Sequence, residues 1–286
     1  MGGNQNLNPE KATTKSLGLI LQPRFLPGFS ATIDYYDIKL RDAIQGFGSD
    51  AIVNTCTASP TVEVCSLIHR NPVNGSLWLT SDGYIENLQT NIGGLHTSGV
   101  DVNVNYSRQI GEAGTLGLSL VGTYIDQFKV DNGISEVYDC AGYYGSTCSN
   151  GTGTPSAPTP KWRHKARLSF NMPNGIGLSA QWRYFGAVKV DFSSPDSTLA
   201  GAYDPFSAKL KAQSYFDLAA TAKITDSYVF RIGVQNLLDK TPPLVSSGRA
   251  DGTLNQCPTG PCNGNTYPAV YDSLGRYIYA GVTLDF

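Results

Sequence analysis

The sequence predicts an all-β fold, an antiparallel transmembrane β-barrel. Three observations lead there. Period-2 alternation recurs in segment after segment, the connections between those segments are alternately short and long, and no apolar run approaches a spanning helix. The chain has 286 residues, of which 41% are hydrophobic and 15% charged. That charged share is well below the roughly 25% usual in soluble domains. A spanning helix needs about 20 consecutive apolar residues. Barrel strands instead dilute theirs by alternation, which fits a slightly negative mean hydropathy. A net charge of −2 excludes a general nucleic-acid binder, which carries a basic excess.

The alternation marks nine strands, near 16–22, 29–35, 99–106, 115–124, 163–172, 176–184, 216–224, 228–235 and 277–286. Leu17, Leu19 and Leu21 share the first apolar face, and Phe29, Ala31, Ile33 and Tyr35 the second. Val100, Val102 and Val104 oppose Asp101, Asn103 and Asn105. Leu116, Leu118 and Leu120 oppose Thr115, Gly117 and Ser119. Ala166, Leu168 and Phe170 oppose Arg163, Lys165, Arg167 and Ser169, and Leu178, Ala180 and Trp182 oppose Ser179, Gln181 and Arg183. Phe216 and Leu218 oppose Asp217, Phe230 and Ile232 oppose Arg231, and Ile278, Ala280, Val282, Leu284 and Phe286 oppose Tyr277, Tyr279, Gly281, Thr283 and Asp285. A soluble sandwich also alternates, so the connections decide. Pro23–Gly28, Arg108–Gly114, Pro173–Gly175 and Thr225–Ser227 are short. About 43–83, 131–161, 190–210 and 239–274 are long. Short periplasmic turns and long extracellular loops are the pattern of outer-membrane barrels. Tyr106, Trp162, Trp182, Tyr184, Tyr228 and Phe286 stand at stripe ends, where interfacial aromatic girdles belong. Asn87–Tyr106 reads as a single long strand; taking Asn91–His96 as a turn would raise the strand count to ten, at the expense of the short/long alternation.

The six cysteines form three close pairs, Cys56 with Cys65, Cys140 with Cys148, and Cys257 with Cys262, each in a long polar loop. Zinc knuckles want tighter spacing. Local disulfides fit, and they imply an oxidising compartment. The lumen should be lined by Arg163, Lys165, Arg167, Arg183 and Arg231 with Asp101 and Asp217, all of inward parity. Such a basic wall suits plug carboxylates or an anionic solute, although any hydrated lumen attracts charge because the lipid face excludes it. No catalytic, metal or cofactor constellation stands out, and His69, His96 and His164 are far apart. The polar stretch after Met1 lacks the basic and apolar regions of a signal peptide. Nine antiparallel strands cannot close, because the first and last run the same way and barrels of this kind have even counts. The chain is therefore expected to be part of a larger barrel.

Asn8-Pro9-Glu10-Lys11, Gly18, Pro27-Gly28, Asp34-Tyr35-Tyr36, Asn91 and Gly99-Val100-Asp101 with Tyr106 resemble the mid-barrel region of TonB-dependent outer-membrane receptors. Gly233-Val234-Gln235-Asn236-Leu237-Leu238-Asp239-Lys240 with Pro242-Pro243 resembles their penultimate-strand signature. Tyr271-Asp272 to Gly275-Arg276 and the terminal Phe286 resemble their last strand. The resemblance implies a 22-stranded barrel plugged by an N-terminal domain, of which residues 1–286 would be the C-terminal portion, without plug or TonB box. It implies a receptor for uptake of a scarce solute such as an iron chelate, cobalamin or oligosaccharide, not an enzyme. Its partners would be the outer-membrane bilayer, the TonB energy-transducing complex acting through the missing plug, and the outer-membrane assembly machinery. That machinery would read Phe286 by strand addition at an unpaired edge. The fragment alone should not transport. A complete small porin, an autotransporter translocator and an outer-membrane hydrolase are the competing readings. They would require, respectively, an even strand count, a pore-threading helix, and an inward Ser, His and acid near the rim.

Overall fold

The computed structural model describes the chain apart from residues 1–3, 59, 78–79, 134, 150–153, 226, 247–255, 259–260 and 285–286. Nine long strands form one sheet: β1 (Lys11–Leu21), β2 (Phe29–Arg41), β3 (Gly94–Ile110), β4 (Gly114–Asp131), β5 (Trp162–Asn171), β6 (Ile176–Phe185), β7 (Gln213–Thr225), β8 (Tyr228–Gln235) and β9 (Tyr277–Leu284). Each pairs antiparallel with its neighbour in sequence, and Tyr138–Asp139 adds a short strand beside β4. The sheet is open: among the described residues β1 pairs with β2 alone and β9 with β8 alone.

The register turns alternation into two chemically distinct faces. Phe29, Tyr106, Leu118, Leu168, Ala180, Leu218, Val234 and Ile278 are successive cross-strand partners. The row beside it on the other face is polar: Ser30, Asn105, Ser119, Arg167, Gln181 and Asp217. Loop residues Tyr271 and Asp272 reach the polar face, so that face is the lumen and the apolar one meets lipid. Leu118, Leu168, Leu178, Leu218, Ile232 and Val282 on the lipid face are exposed, and Val100 is half-buried. Gly28 makes the first short turn possible. It has φ of 84° and lies against the Ser107 carbonyl, where a side chain would collide.

Two expectations needed revision. β2 and β4 run past their alternation to Arg41 and Asp131, where the long connections are expected to begin, whereas β3 starts only at Gly94, inside the long strand expected from Asn87. Above the bilayer both faces meet water or loop, so the apolar/polar contrast that marks a strand is no longer required there. Asn91–His96 does not break the count, because Thr90–Asn91 pairs with Ile44–Gln45 and β3 starts at Gly94. The long connections are also more structured than loops. The first holds α1 (Ser49–Ala58) and α2 (Val62–Cys65). The others build a small sheet from Tyr143–Tyr144, Val188–Val190 and Lys209–Leu210. Over it packs a core including Tyr144, Leu210, Val245, Tyr267 and Tyr271. Asp191, fully buried, ties this cap together by accepting from the backbone N–H of Thr147 at 2.8 Å, Cys148 at 3.0 Å and Phe192 at 2.9 Å. Burial pushes its carboxyl above the ordinary Asp range, against the pull of those amides.

The cysteines pair within their loops. Cα–Cα distances are 5.1 Å for Cys56–Cys65, 5.4 Å for Cys140–Cys148 and 5.1 Å for Cys257–Cys262, in the usual disulfide range. Cys140 and Cys148 are fully buried beside Val130, Tyr138 and Leu199. Replacing both with serine should loosen the 132–161 loop by about 3 kcal/mol or less while the nine-stranded sheet stays folded. Hydrogen exchange would check this, and loss of protection along β4 and β5 together with the loop would contradict it.

Candidate functional site

On the lumenal face, β5 presents Arg163, Lys165 and Arg167 on alternate residues. The register sets Lys165 beside Val121 of β4 and Arg183 of β6, and Arg183 beside Tyr215 of β7. The Arg183 guanidinium lies 5.0 Å from the Tyr215 ring centroid, a cation–π contact. Its Nε donates to Asp217 Oδ2 at 2.7 Å and its Nη2 to Asp217 Oδ1 at 2.9 Å. On its other edge Nη1 donates to Asp272 Oδ1 at 2.8 Å and Nη2 to Asp272 Oδ2 at 2.6 Å. Planar forked donors match carboxylates in this way, and lysine cannot replace them. Asp217 also accepts from Gln181 Nε2 at 3.1 Å and from the Asn236 backbone N–H at 2.9 Å.

The segment after β8 is held by its own polar contacts. Asn236 and Asp239 adopt positive φ, 51° and 53°, which Asn and Asp tolerate better than most residues. Asn236 Oδ1 accepts from Lys240 N at 2.8 Å, and Asp239 Oδ1 from Arg276 N at 2.8 Å. Arg276 Nε donates to the Leu237 carbonyl at 2.9 Å. The 233–240 motif and the 271–276 motif thus meet at the mouth of the sheet.

Between this wall and loop residues Ala269 and Val270 lies a cavity of about 460 Å³, lined by Arg163, Lys165, Arg183, Phe185 and Tyr215. Arg183 spends its charge on two carboxylates. Arg163, Lys165, Arg167 and Arg231 make no ion pair among the described residues. Arg167 borders a smaller space with Gln181, Asp217 and Tyr279. Arg231 pairs across to Thr221 and Gly281, near the short turns and away from the cavity. Asp101 accepts from Thr123 Oγ1 at 2.7 Å and does not line the cavity. Phe286 and Asp285 lie outside the described residues. Tyr215 and Gln181 were readable as inward by parity. Asp272 was not readable as a partner, since it sits in a loop 89 residues from Arg183.

On the outer face, Trp162 Nε1 donates to His164 Nδ1 at 2.9 Å. The His164 ring packs 4.4 Å from Trp182 and 5.1 Å from Tyr184. This aromatic cluster sits at the long-loop end of β5 and β6, where an interfacial girdle belongs in such a barrel. His96 Nε2 faces Asp37 Oδ2 at 2.8 Å, and the nearby Ser98 Oγ accepts from Gln127 at 3.0 Å. No Ser–His hydrogen bond forms among the described residues.

A family model described as TonB dependent receptor-like, beta-barrel, matches residues 1–237. No curated protein matches. Among solved structures, the ferric enterobactin receptor of Pseudomonas aeruginosa is similar over 99% of this chain and 32% of its own, at 15% identity and a TM-score of 0.59. The FrpB iron transporter of Neisseria meningitidis matches over 99% and 32%, at 13% identity and a TM-score of 0.56. The siderophore receptor PirA of Acinetobacter baumannii matches over 99% and 33%, at 16% identity and a TM-score of 0.55. The chain spans about a third of the length of these structures.

Proposed function

The chain belongs to the TonB-dependent receptor β-barrel family, and from that premise we propose that its strands form part of the wall of an outer-membrane uptake receptor for an anionic solute, an iron chelate by preference. This is a family of receptors and transporters rather than enzymes. The observation that carries the substrate class is the lumenal cavity beneath the last long loop, where Arg163 and Lys165 stand without ion-pair partners among the described residues, beside Arg183 and Tyr215. Unpaired cations on a water-filled, low-dielectric wall concentrate anions. The names of the similar solved structures, which speak of ferric enterobactin, iron and siderophores, support an iron chelate over cobalamin or an oligosaccharide.

The open edges of β1 and β9 support a wall completed by further strands, because lipid leaves unpaired backbone groups unsatisfied. The apolar face would contact the bilayer. Energy would come from the TonB complex through a plug inside the completed barrel, and the assembly machinery would engage Phe286. Binding measured on outer-membrane vesicles carrying the protein tests the substrate class. The double substitution R163A/K165A should weaken an anionic ferric chelate about tenfold, equivalent to ~1.4 kcal/mol, and leave a neutral chelate nearly unchanged. Equal loss for both chelates, or no loss for either, would overturn the reading.

A further inference from the structure

The two carboxylates on Arg183 are held unequally. Asp217 belongs to the wall and takes four hydrogen bonds: two from Arg183, one from Gln181 and one from the Asn236 backbone. The Asp272 carboxylate comes from the last long loop, and both of its hydrogen bonds come from Arg183. Its backbone N–H adds a long contact of 3.4 Å to the Tyr215 hydroxyl. Both side chains keep about a fifth of their surface in water, 22% for Arg183 and 21% for Asp272. Lys165, directly across the strand pair from Arg183, has no carboxylate partner among the described residues. Ala269 and Val270, just before Asp272, roof the cavity that these cations line.

We propose that Asp272 is a built-in competitor for the lumenal anion site. An oxyanion carrying two or more charges binds between Lys165 and Arg183, displaces the Asp272 carboxylate, and releases the turn 272–275 from the wall. Tyr267 and Tyr271 stay packed in the cap core, and Arg276 stays tied to Asp239 and Leu237. Asp217 stays in place, because the wall itself holds it. The exchange is favourable for a multiply charged ligand because it gains Lys165 as well as Arg183, whereas Asp272 engages Arg183 alone. Loop opening is thereby tied to ligand charge. The inference rests on the anion-binding reading above.

The test uses the full chain in outer-membrane vesicles, with pyrophosphate as the probe. Affinity is measured by calorimetry, and loop release by hydrogen exchange over 272–275. Pyrophosphate should raise exchange in that segment of the unmodified protein. Asp272→Asn should show raised exchange without any anion and bind pyrophosphate about tenfold more tightly. Lys165→Ala, with the Asp272 contact intact, should keep the low exchange and lose the pyrophosphate response. If pyrophosphate binds but exchange is unchanged and Asp272→Asn has unaltered affinity, the competitor is refuted while the anion site stands. If no variant binds pyrophosphate, the anion site and the competitor fall together.

Discussion

Replacing Arg183 with alanine should destabilise the folded wall by about 3 kcal/mol, the low end of the ~3–5 kcal/mol typical of breaking a buried pair. The low end applies because 22% of the side chain remains exposed. The loss has three sources. Four charge-assisted hydrogen bonds disappear. Asp217 and Asp272 are left as neighbouring carboxylates with no cation between them. The Tyr215 ring loses its cation–π partner. Arg183→Lys should recover only part of the loss, because an ammonium cannot fork to two carboxylates at once. Asp217→Asn should cost less than the arginine deletion, since the amide keeps an oxygen for Asn236 and Arg183. Urea unfolding in lipid vesicles, followed by heat-modifiable gel mobility, measures each value. An Arg183→Ala loss below about 1 kcal/mol, the size of an ordinary surface pair, would show that the network adds nothing to the wall.

A charge placed at Leu168 should be of similar consequence by a different mechanism. Leu168 lies on the lipid face between Leu118 and Ala180, below the Trp162–His164–Trp182 cluster. Leu168→Arg should cost about 2–4 kcal/mol if the position is near the bilayer midplane. The adjacent Ser169→Arg, one residue along on the lumenal face, should cost close to nothing. The contrast between neighbouring residues is the measurement, by the same unfolding assay. Equal losses at both positions would mean that the two faces are not divided between lipid and water.

The sheet was legible because a membrane wall obeys one simple rule along its whole length. Lipid on one side and water on the other force period 2, so each of the nine strands announces itself, and inward parity placed Arg183 and Asp217 on one face. Their adjacency then needs only the register. What was not legible lies where that rule lapses. α1 follows no apolar stripe of its own, and its segment reads as a Thr- and Cys-containing loop. In the upper parts of β2 to β4 the pattern inverts: Asp37, Ser98 and Gln127 form one cross-strand row on the face that is apolar lower down, and Leu40, Leu95 and Val130 form an apolar row on the other. Asp272 is the clearest case: nothing local to residues 271–276 reveals a partner on β6, because a loop finds its ion pair through the tertiary fold alone.

The three disulfides also carry a consequence for covalent topology. They join residues only nine, eight and five positions apart. Each ring closes inside one connection between consecutive strands, in 42–93, 132–161 and 236–276, and no ring encircles a strand or ties one hairpin to another. The fourth long connection, 186–212, has no cysteine and instead lends Val188–Val190 and Lys209–Leu210 to the small sheet. Cut free of its hydrogen bonds, the oxidised chain can therefore be drawn out as a linear string of hairpins bearing small closed beads. Oxidation can precede or follow the laying down of the strands without threading anything, provided each cysteine pairs within its own loop.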